Sequence, residues 1–467
     1  MYTSYDVKIR KTWVYRGKRG NTYYVRWRVE NEPFKRPFAN STLAKSFRSK
    51  LVAAASEGEA FRTDTGLPVS MERPKREISF YALALDYVAM KWPQAAATYR
   101  RTIAEALTAA TPVMLKDGNG KPDDATIRSA LGWAFNLSKR EREDKPDHIA
   151  KALFWIERNS YPLTYVLRPM TAQALHDATV TRLDGKPSAK SVARQRRMIV
   201  SNMLKHAVKV ELLHSNPLKE IEWTAPKPSR AIDRRRVPNP VQVRTLLREM
   251  LQVRRSGPKL YACFASMYFG ALRPEEAVDL RKPFLKLPEP TWSEAKNDWV
   301  YGWGEIYIED AAPHAGSSWT DAGQPRDRRG LKHRPRGEGR HVPCPPELTK
   351  ILREHLTKYG VASDGRLFRG EDGREVPSIT WNRVWTRARR ATFTEEALAT
   401  PLAGRPYDLR HAAVSTWLNG GVDAPQVAEW AGHSVEVLLD VYAKCLDGQE
   451  RVARDKVQRA LGHRPAG

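Results

Sequence analysis

Four short segments in the second half of this 467-residue chain carry side chains suited to phosphoryl chemistry. They are Ala271-Leu272-Arg273-Pro274-Glu275-Glu276, Tyr407-Asp408-Leu409-Arg410-His411, Gly432-His433-Ser434 and Val441-Tyr442-Ala443-Lys444. Each is weak alone: an arginine after a turn is ordinarily a surface residue, and an arginine beside an aspartate on a helix is ordinarily a structural pair. Together they form the set needed to move a phosphoryl group onto a protein nucleophile. The planar forks of Arg273 and Arg410 fit two non-bridging oxygens, His433 adds a further donor, and the Tyr442 hydroxyl is the nucleophile.

Such groups must be held by rigid elements, and the spacing of apolar residues predicts a mainly α chain with small β elements, an α+β fold. Around the four segments, Asn239 caps a helix from Pro240, a second helix runs from about Pro258 through Phe269, and others cover Leu348 to Lys358 and Asp408 to Asn419. Residues 283–346 differ, being rich in Pro, Gly and Trp, and read as a twisted hairpin (strands at Glu305–Ile308 and His341–Pro343) with a long insertion. Residues 241–460 thus make one mixed domain of helices and a β-hairpin.

Upstream, residues 77–225 read as a helical domain, with Phe80, Leu83, Ala84 and Tyr87 on one stripe and a long amphipathic run from Val192 to Val210. Within it, Leu115 to Pro122 reads as a polar loop and Lys139 to Asp147 as a solvated charge run. Residues 226–240 form a basic, Pro-rich linker whose Arg234, Arg235 and Arg236 suit a phosphate backbone. Residues 1–70 alternate as three strands around a Gly17-Lys18-Arg19-Gly20 turn, followed by a helix capped by Ser41-Thr42 with Leu43, Phe47, Leu51 and Ala54 on its inner face. Arg26 and Arg28, interleaved with aromatics on this sheet, could enter a DNA groove or merely flank a small core.

Charge points the same way. Basic residues outnumber acidic ones by 79 to 53, a net +26 with pI near 10.0. The excess is no tail: it runs 14 to 6, 29 to 18 and 36 to 29 over residues 1–70, 71–235 and 236–467. A polyanion touched along the whole chain is the implied partner. Three scattered cysteines, Cys263, Cys344 and Cys445, fit neither a zinc site nor a disulfide framework and suggest a reducing, cytoplasmic compartment. No apolar run approaches a membrane span, so no membrane partner is expected.

In this order and spacing the four segments resemble the tyrosine recombinases, the integrases of phages and integrative elements. Arg273 with Glu276 matches the family's first arginine motif. Arg410 matches the arginine of its His-x-x-Arg box, with Tyr407 at the histidine place. Gly432–Ser434 matches its Gly-His-Ser box, and Tyr442 follows His433 by the usual nine positions. The resemblance implies an arm-binding-like module at 1–70, a core-binding domain at 77–225 and a catalytic domain at 241–460. It implies that Tyr442 attacks a DNA phosphate to leave a 3′-phosphotyrosyl link, stabilised by Arg273, Arg410 and His433, with Glu276 supporting the site. Neither metal nor ATP is required. The family's hairpin lysine, general acid to the leaving 5′-oxygen, falls best on Lys332, with Lys296 as the alternative. The partners implied are double-stranded attachment-site DNA, three further copies in a homotetramer, and room for a directionality factor.

Tyr407 departs from the family. A phenol donates a hydrogen bond but is a poor base near neutrality, unlike imidazole. His411 is a substitute in principle, yet adjacent helical residues point about 100° apart, which favours a structural role for it. Two other readings remain compatible with the sequence: a DNA-binding accessory protein with a decayed site, and a type IB topoisomerase.

Overall fold

Three separate sets of buried apolar side chains organise the chain. The computed structural model describes residues 2–17, 20–71, 78–142, 144–225, 231–331, 334–335, 337–442 and 449–462. Helices dominate, with small antiparallel sheets at the N-terminus and in the C-terminal half.

The first core forms where Gly20–Val29 alternates Val25, Trp27 and Val29 inward. This strand pairs with Val7–Ile9 and Trp13–Gly17 along one edge and with Glu32–Phe38 along the other, a sheet of three rows. Helix Ser41–Ser56 lays Ala44, Phe47, Leu51 and Ala54 across it. The expected cap shifts by one residue: the Asn40 side chain, in extended backbone, accepts from the Leu43 N–H at 2.9 Å. The inner stripe accordingly starts at Ala44 and leaves Leu43 in solvent. On the opposite face Arg26 lies 5.5 Å over the ring of Trp13, whereas Arg28 bonds the Asn31 side chain at 3.1 Å. Lys18 and Arg19, the centre of the expected turn, lie outside the described residues.

The second core is built by six helices of eleven or more residues: Phe80–Lys91, Ala97–Ala110, Asp124–Ala134, Asp147–Asn159, Pro169–Val180 and Lys190–Lys209. Ser79 and Asp123 cap two of them by accepting from their first-turn N–H groups. The third core joins Pro240–Gln252, closed by a reciprocal Asn239/Gln242 capping box, to Ser256–Phe269, Pro346–Tyr359, Ser378–Thr392 and Asp408–Asn419. A three-stranded antiparallel sheet lies against it, with Gly304–Ile308 between Leu285–Lys286 and Arg340–Cys344.

Two contacts go beyond the sequence reading. The chain between Gly304–Ile308 and Arg340–Cys344 reaches across to the helical domain. Arg100, its side chain only 4% exposed, forks onto Asp321 at 2.7 and 3.0 Å, and also donates to the Trp92 and Trp319 carbonyls, both at 2.9 Å. Asn136 donates to Ser318 at 3.1 Å, the Ala97 N–H to Asp327 at 3.1 Å, and Trp319 lies 5.9 Å from Trp92. The insertion is therefore a strap, not a free loop. The linker is docked as well. Although 226–230 lie outside the described residues, the Ile232 N–H donates to the Val441 carbonyl at 3.0 Å, and the Arg236 carbonyl accepts from Ala403 at 3.0 Å. Cys263 and Cys344 are buried free thiols, Cys445 is outside the described residues, and no helix among those described is long and apolar enough to cross a membrane.

Candidate active site

The four segments converge at one end of the third core. Helix Ser256–Phe269 ends at Gly270, and Ala271 turns the chain through the left-handed region at φ 49°, so that Arg273 begins the short helix Pro274–Ala277. Glu276 accepts from the Arg273 backbone N–H at 2.8 Å and from its Nη1 at 2.7 Å, while Arg273 Nη2 donates to the Gly432 carbonyl at 2.7 Å. The other side of Glu276 is taken by Arg340, whose two Nη atoms lie 2.9 and 2.7 Å from its oxygens. Arg340 Nε donates to the Trp430 carbonyl at 2.9 Å.

Arg340 is the component that sequence reasoning missed. It had a signal: Arg340, Val342 and Cys344 share one face of their strand, and Val342 and Cys344 are core residues. An arginine in that row needs a buried carboxylate. It also explains the Gly-His-Ser segment. Gly432 caps helix Ala424–Ala431 at φ 65°, and a Cβ there would sit 3.2 Å from the Arg340 guanidinium. Both the backbone and the neighbour require glycine.

Arg410, on helix Asp408–Asn419, is fully buried. It donates to the carbonyls of Ala271 and Ala431 and, through Nη2, to His433 Nε2 at 2.9 Å. Because a guanidinium only donates, His433 Nε2 must accept, which assigns the ring proton to Nδ1. That Nδ1 and Arg410 Nε are buried without a hydrogen-bond partner among the described residues. Burial, then the Arg410, Arg273 and Arg340 charges, pushes the His433 pKa down to about 3, so the ring is neutral. Burial would raise Glu276, but Arg340 and Arg273 overcome it and hold its carboxyl well below the usual range. Arg410 is itself lowered by burial and by Arg273. Three cations thus surround one carboxylate, leaving a buried surplus of positive charge and unmade donors.

Ser434 Oγ accepts from the Val437 N–H at 3.2 Å and starts helix Val435–Tyr442. Tyr442 is its last residue, 1% exposed, with its ring 6.2 Å from that of His433. Its hydroxyl lies 3.0 Å from His411 Nδ1. The structure thus brings His411, for which the sequence favoured a structural role, against the Tyr442 hydroxyl. The angular offset from Arg410 is real, but the tyrosine helix lies on the side to which His411 turns, so both neighbours reach the site. Tyr407 starts the same helix, with its ring 4.9 Å from His411 and the Arg405 guanidinium 5.4 Å over it.

Lys332, like Ala443 and Lys444, lies outside the described residues. Lys296 sits exposed in the turn of the separate Thr291–Ser293/Asp298–Val300 hairpin. Arg26 and Arg28 belong to the N-terminal sheet. Of the linker arginines, Arg235 is paired with Asp233 at 2.7 Å, and Arg234–Arg236 form a helical turn against the third core.

No family model matches the sequence, and no curated protein matches it. Among solved structures, the chain is similar to the Tn1549 transposon integrase in complex with transposon right-end DNA, at 16% identity over 76% of this chain and 99% of that one, with a TM-score of 0.45. It is similar to a lambda integrase dimer bound to a core site, at 11% identity over 94% and 95%, with a TM-score of 0.44. It is also similar to the XerH site-specific recombinase bound to palindromic difH substrate, at 12% identity over 77% and 95%, with a TM-score of 0.41.

Proposed function

We propose that this protein is a site-specific DNA recombinase of the tyrosine class, which cuts and rejoins DNA through a 3′-phosphotyrosyl bond to Tyr442. The observation that carries this reading is the gathering of Arg273, Arg410, His433 and Tyr442, up to 169 positions apart in sequence, around a buried cluster of three arginines with one carboxylate. A scissile phosphate supplies the missing negative charge and the missing acceptors. Arg273 and Arg410 neutralise its non-bridging oxygens, and the His433 Nδ1–H donates to one of them. Glu276 fixes Arg273 and Arg340 in place. Lys332 acts as general acid to the departing 5′-oxygen.

Attack by the Tyr442 hydroxyl forms the Oη–P bond and breaks the P–O5′ bond. Attack by a partner strand's 5′-hydroxyl reverses this and conserves the bond energy. The basic helical domain and linker then grip the duplex near the cut, the N-terminal module contacts a further arm site, and four copies act on two duplexes. Steep weakening of binding by salt goes with so long a footprint. The reading is tested by incubating the protein with nicked attachment-site DNA, denaturing, and looking for a protein–DNA adduct. The wild type forms it and Tyr442→Phe does not; a wild type without adduct on its own site overturns the reading.

A further inference from the structure

The proton of the attacking tyrosine needs a destination, and the histidine place of the family box holds Tyr407. The other acidic and imidazole groups of the site are already engaged. His433 Nε2 is already an acceptor from Arg410, and its Nδ1 carries the ring hydrogen, so it has no free lone pair. Glu276 is clamped between Arg273 and Arg340. Asp408, fully buried, is turned to Arg405, accepting from its backbone N–H at 3.1 Å and its Nε at 3.4 Å. A guanidinium cannot accept at all. His411 Nδ1 lies 3.0 Å from the Tyr442 hydroxyl, with both residues buried.

Resting on the recombinase reading, we propose that His411 is a catalytic residue, the acceptor of the Tyr442 proton, with Tyr407 as the buttress of its ring. During cleavage the Tyr442 O–H bond breaks and its proton passes to His411 Nδ1 as the Oη–P bond forms. The P–O5′ bond breaks with its electron pair on O5′, which takes a proton from the ammonium assigned to Lys332. On rejoining, the 5′-hydroxyl returns its proton to the amine and His411 returns its own to Tyr442. No net proton is consumed over the cycle.

The surroundings tie this base to bound DNA. Facing His411 are Arg405, Tyr407, Asp408 and Arg410 from its own segment, Arg236 from the linker, and Tyr442. In the free protein, burial and then the Arg405, Arg410 and Arg236 charges hold the imidazole down at about 3. A phosphate against Arg410 offsets part of that positive field and makes the ring a better base when substrate is present.

The test uses the full-length protein and single-turnover cleavage of nicked attachment-site DNA, comparing wild type, His411→Ala and His411→Asn. The asparagine amide reaches the place of Nδ1 and keeps a hydrogen bond to Tyr442, but it is not a base. General-base catalysis is worth about 10²- to 10⁴-fold, so both variants should slow adduct formation by that factor while retaining DNA in a gel-shift assay. Added imidazole should partly restore the alanine variant. An asparagine variant within a few-fold of wild type would overturn the proposal and leave His411 a positioning residue. If His411→Ala fails to fold, the asparagine comparison still decides. A wild type that forms no adduct defeats the recombinase reading itself, a separate and recognisable outcome.

Discussion

Two buried arginine clusters in this molecule look alike locally and differ in how completely they are closed. In the strap, Arg100 spends its fork on the exposed carboxylate of Asp321 and its remaining donors on the Trp92 and Trp319 carbonyls, with its plane 4.8 Å from the Trp92 ring. One cation meets one anion, and its donors have found protein acceptors. At the site, Arg273 and Arg340 share Glu276 while Arg410 has no carboxylate of its own, and Arg410 Nε and His433 Nδ1 stay buried without acceptors among the described residues. Buried donors are ordinarily satisfied, and leaving one unmade costs about 1–3 kcal/mol. A cluster that carries this cost at two donors beside a surplus of positive charge is built for a ligand, whereas the strap is built for itself.

That contrast is sharpened first at Arg273. Lysine keeps the charge but replaces a planar fork by a point donor, so Arg273→Lys should lower single-turnover cleavage by about 10²- to 10³-fold, roughly 2.7–4 kcal/mol in the barrier, with little change in melting temperature. Equal loss of stability and rate would mean that Arg273 serves Glu276 rather than the phosphate. Arg100→Ala should behave in the opposite way. It removes a charged fork and a ring contact and leaves an exposed aspartate, so about 1–3 kcal/mol of stability should be lost in urea unfolding. Cleavage of pre-bound nicked DNA should stay near the wild-type rate. A collapse of cleavage in this variant would make the strap part of the chemistry.

The two clusters were also unequally legible in the sequence. Arg273, Arg410, His433 and Tyr442 stood out because phosphoryl transfer restricts which side chains are useful and because their order and spacing repeat a known pattern. Arg340 did not, since a single arginine in a strand reads as solvent-facing until its alternation with Val342 and Cys344 is weighed. For His411 the angle between neighbours on one helix favours a structural role, but that angle says nothing about where a second helix lies. Helix Lys190–Lys209 is readable from its apolar period, and Phe80–Lys91 from its apolar content behind the Ser79 cap. The strap was not readable, because Arg100 and Asp321 are 221 positions apart and neither periodicity nor composition links them. The linker read as a connector because Pro and Arg describe its stiffness and charge, but not the Ile232 to Val441 hydrogen bond that docks it.

Acid also separates the clusters. His411 and His433 are each held at about 3 in the folded protein, principally by burial, against about 6.5 in an unfolded chain. Between those values the unfolded state binds protons that the folded state refuses. Their contribution is therefore complete above about pH 6.5 and is lost progressively as pH falls towards 3. The strap carboxylate Asp321 is lowered from 3.8 by its hydrogen bond to Arg100, so it responds only in more acidic solution. Unfolding free energy measured from pH 7 to pH 5 should thus decline because of the site and not the strap. Bound attachment-site DNA should flatten the decline by letting the His411 imidazole hold a proton once a phosphate offsets the field of Arg410. A free protein whose stability is level over that range would show that these rings are not shielded from water, and the open cluster would lose its distinction from the closed one.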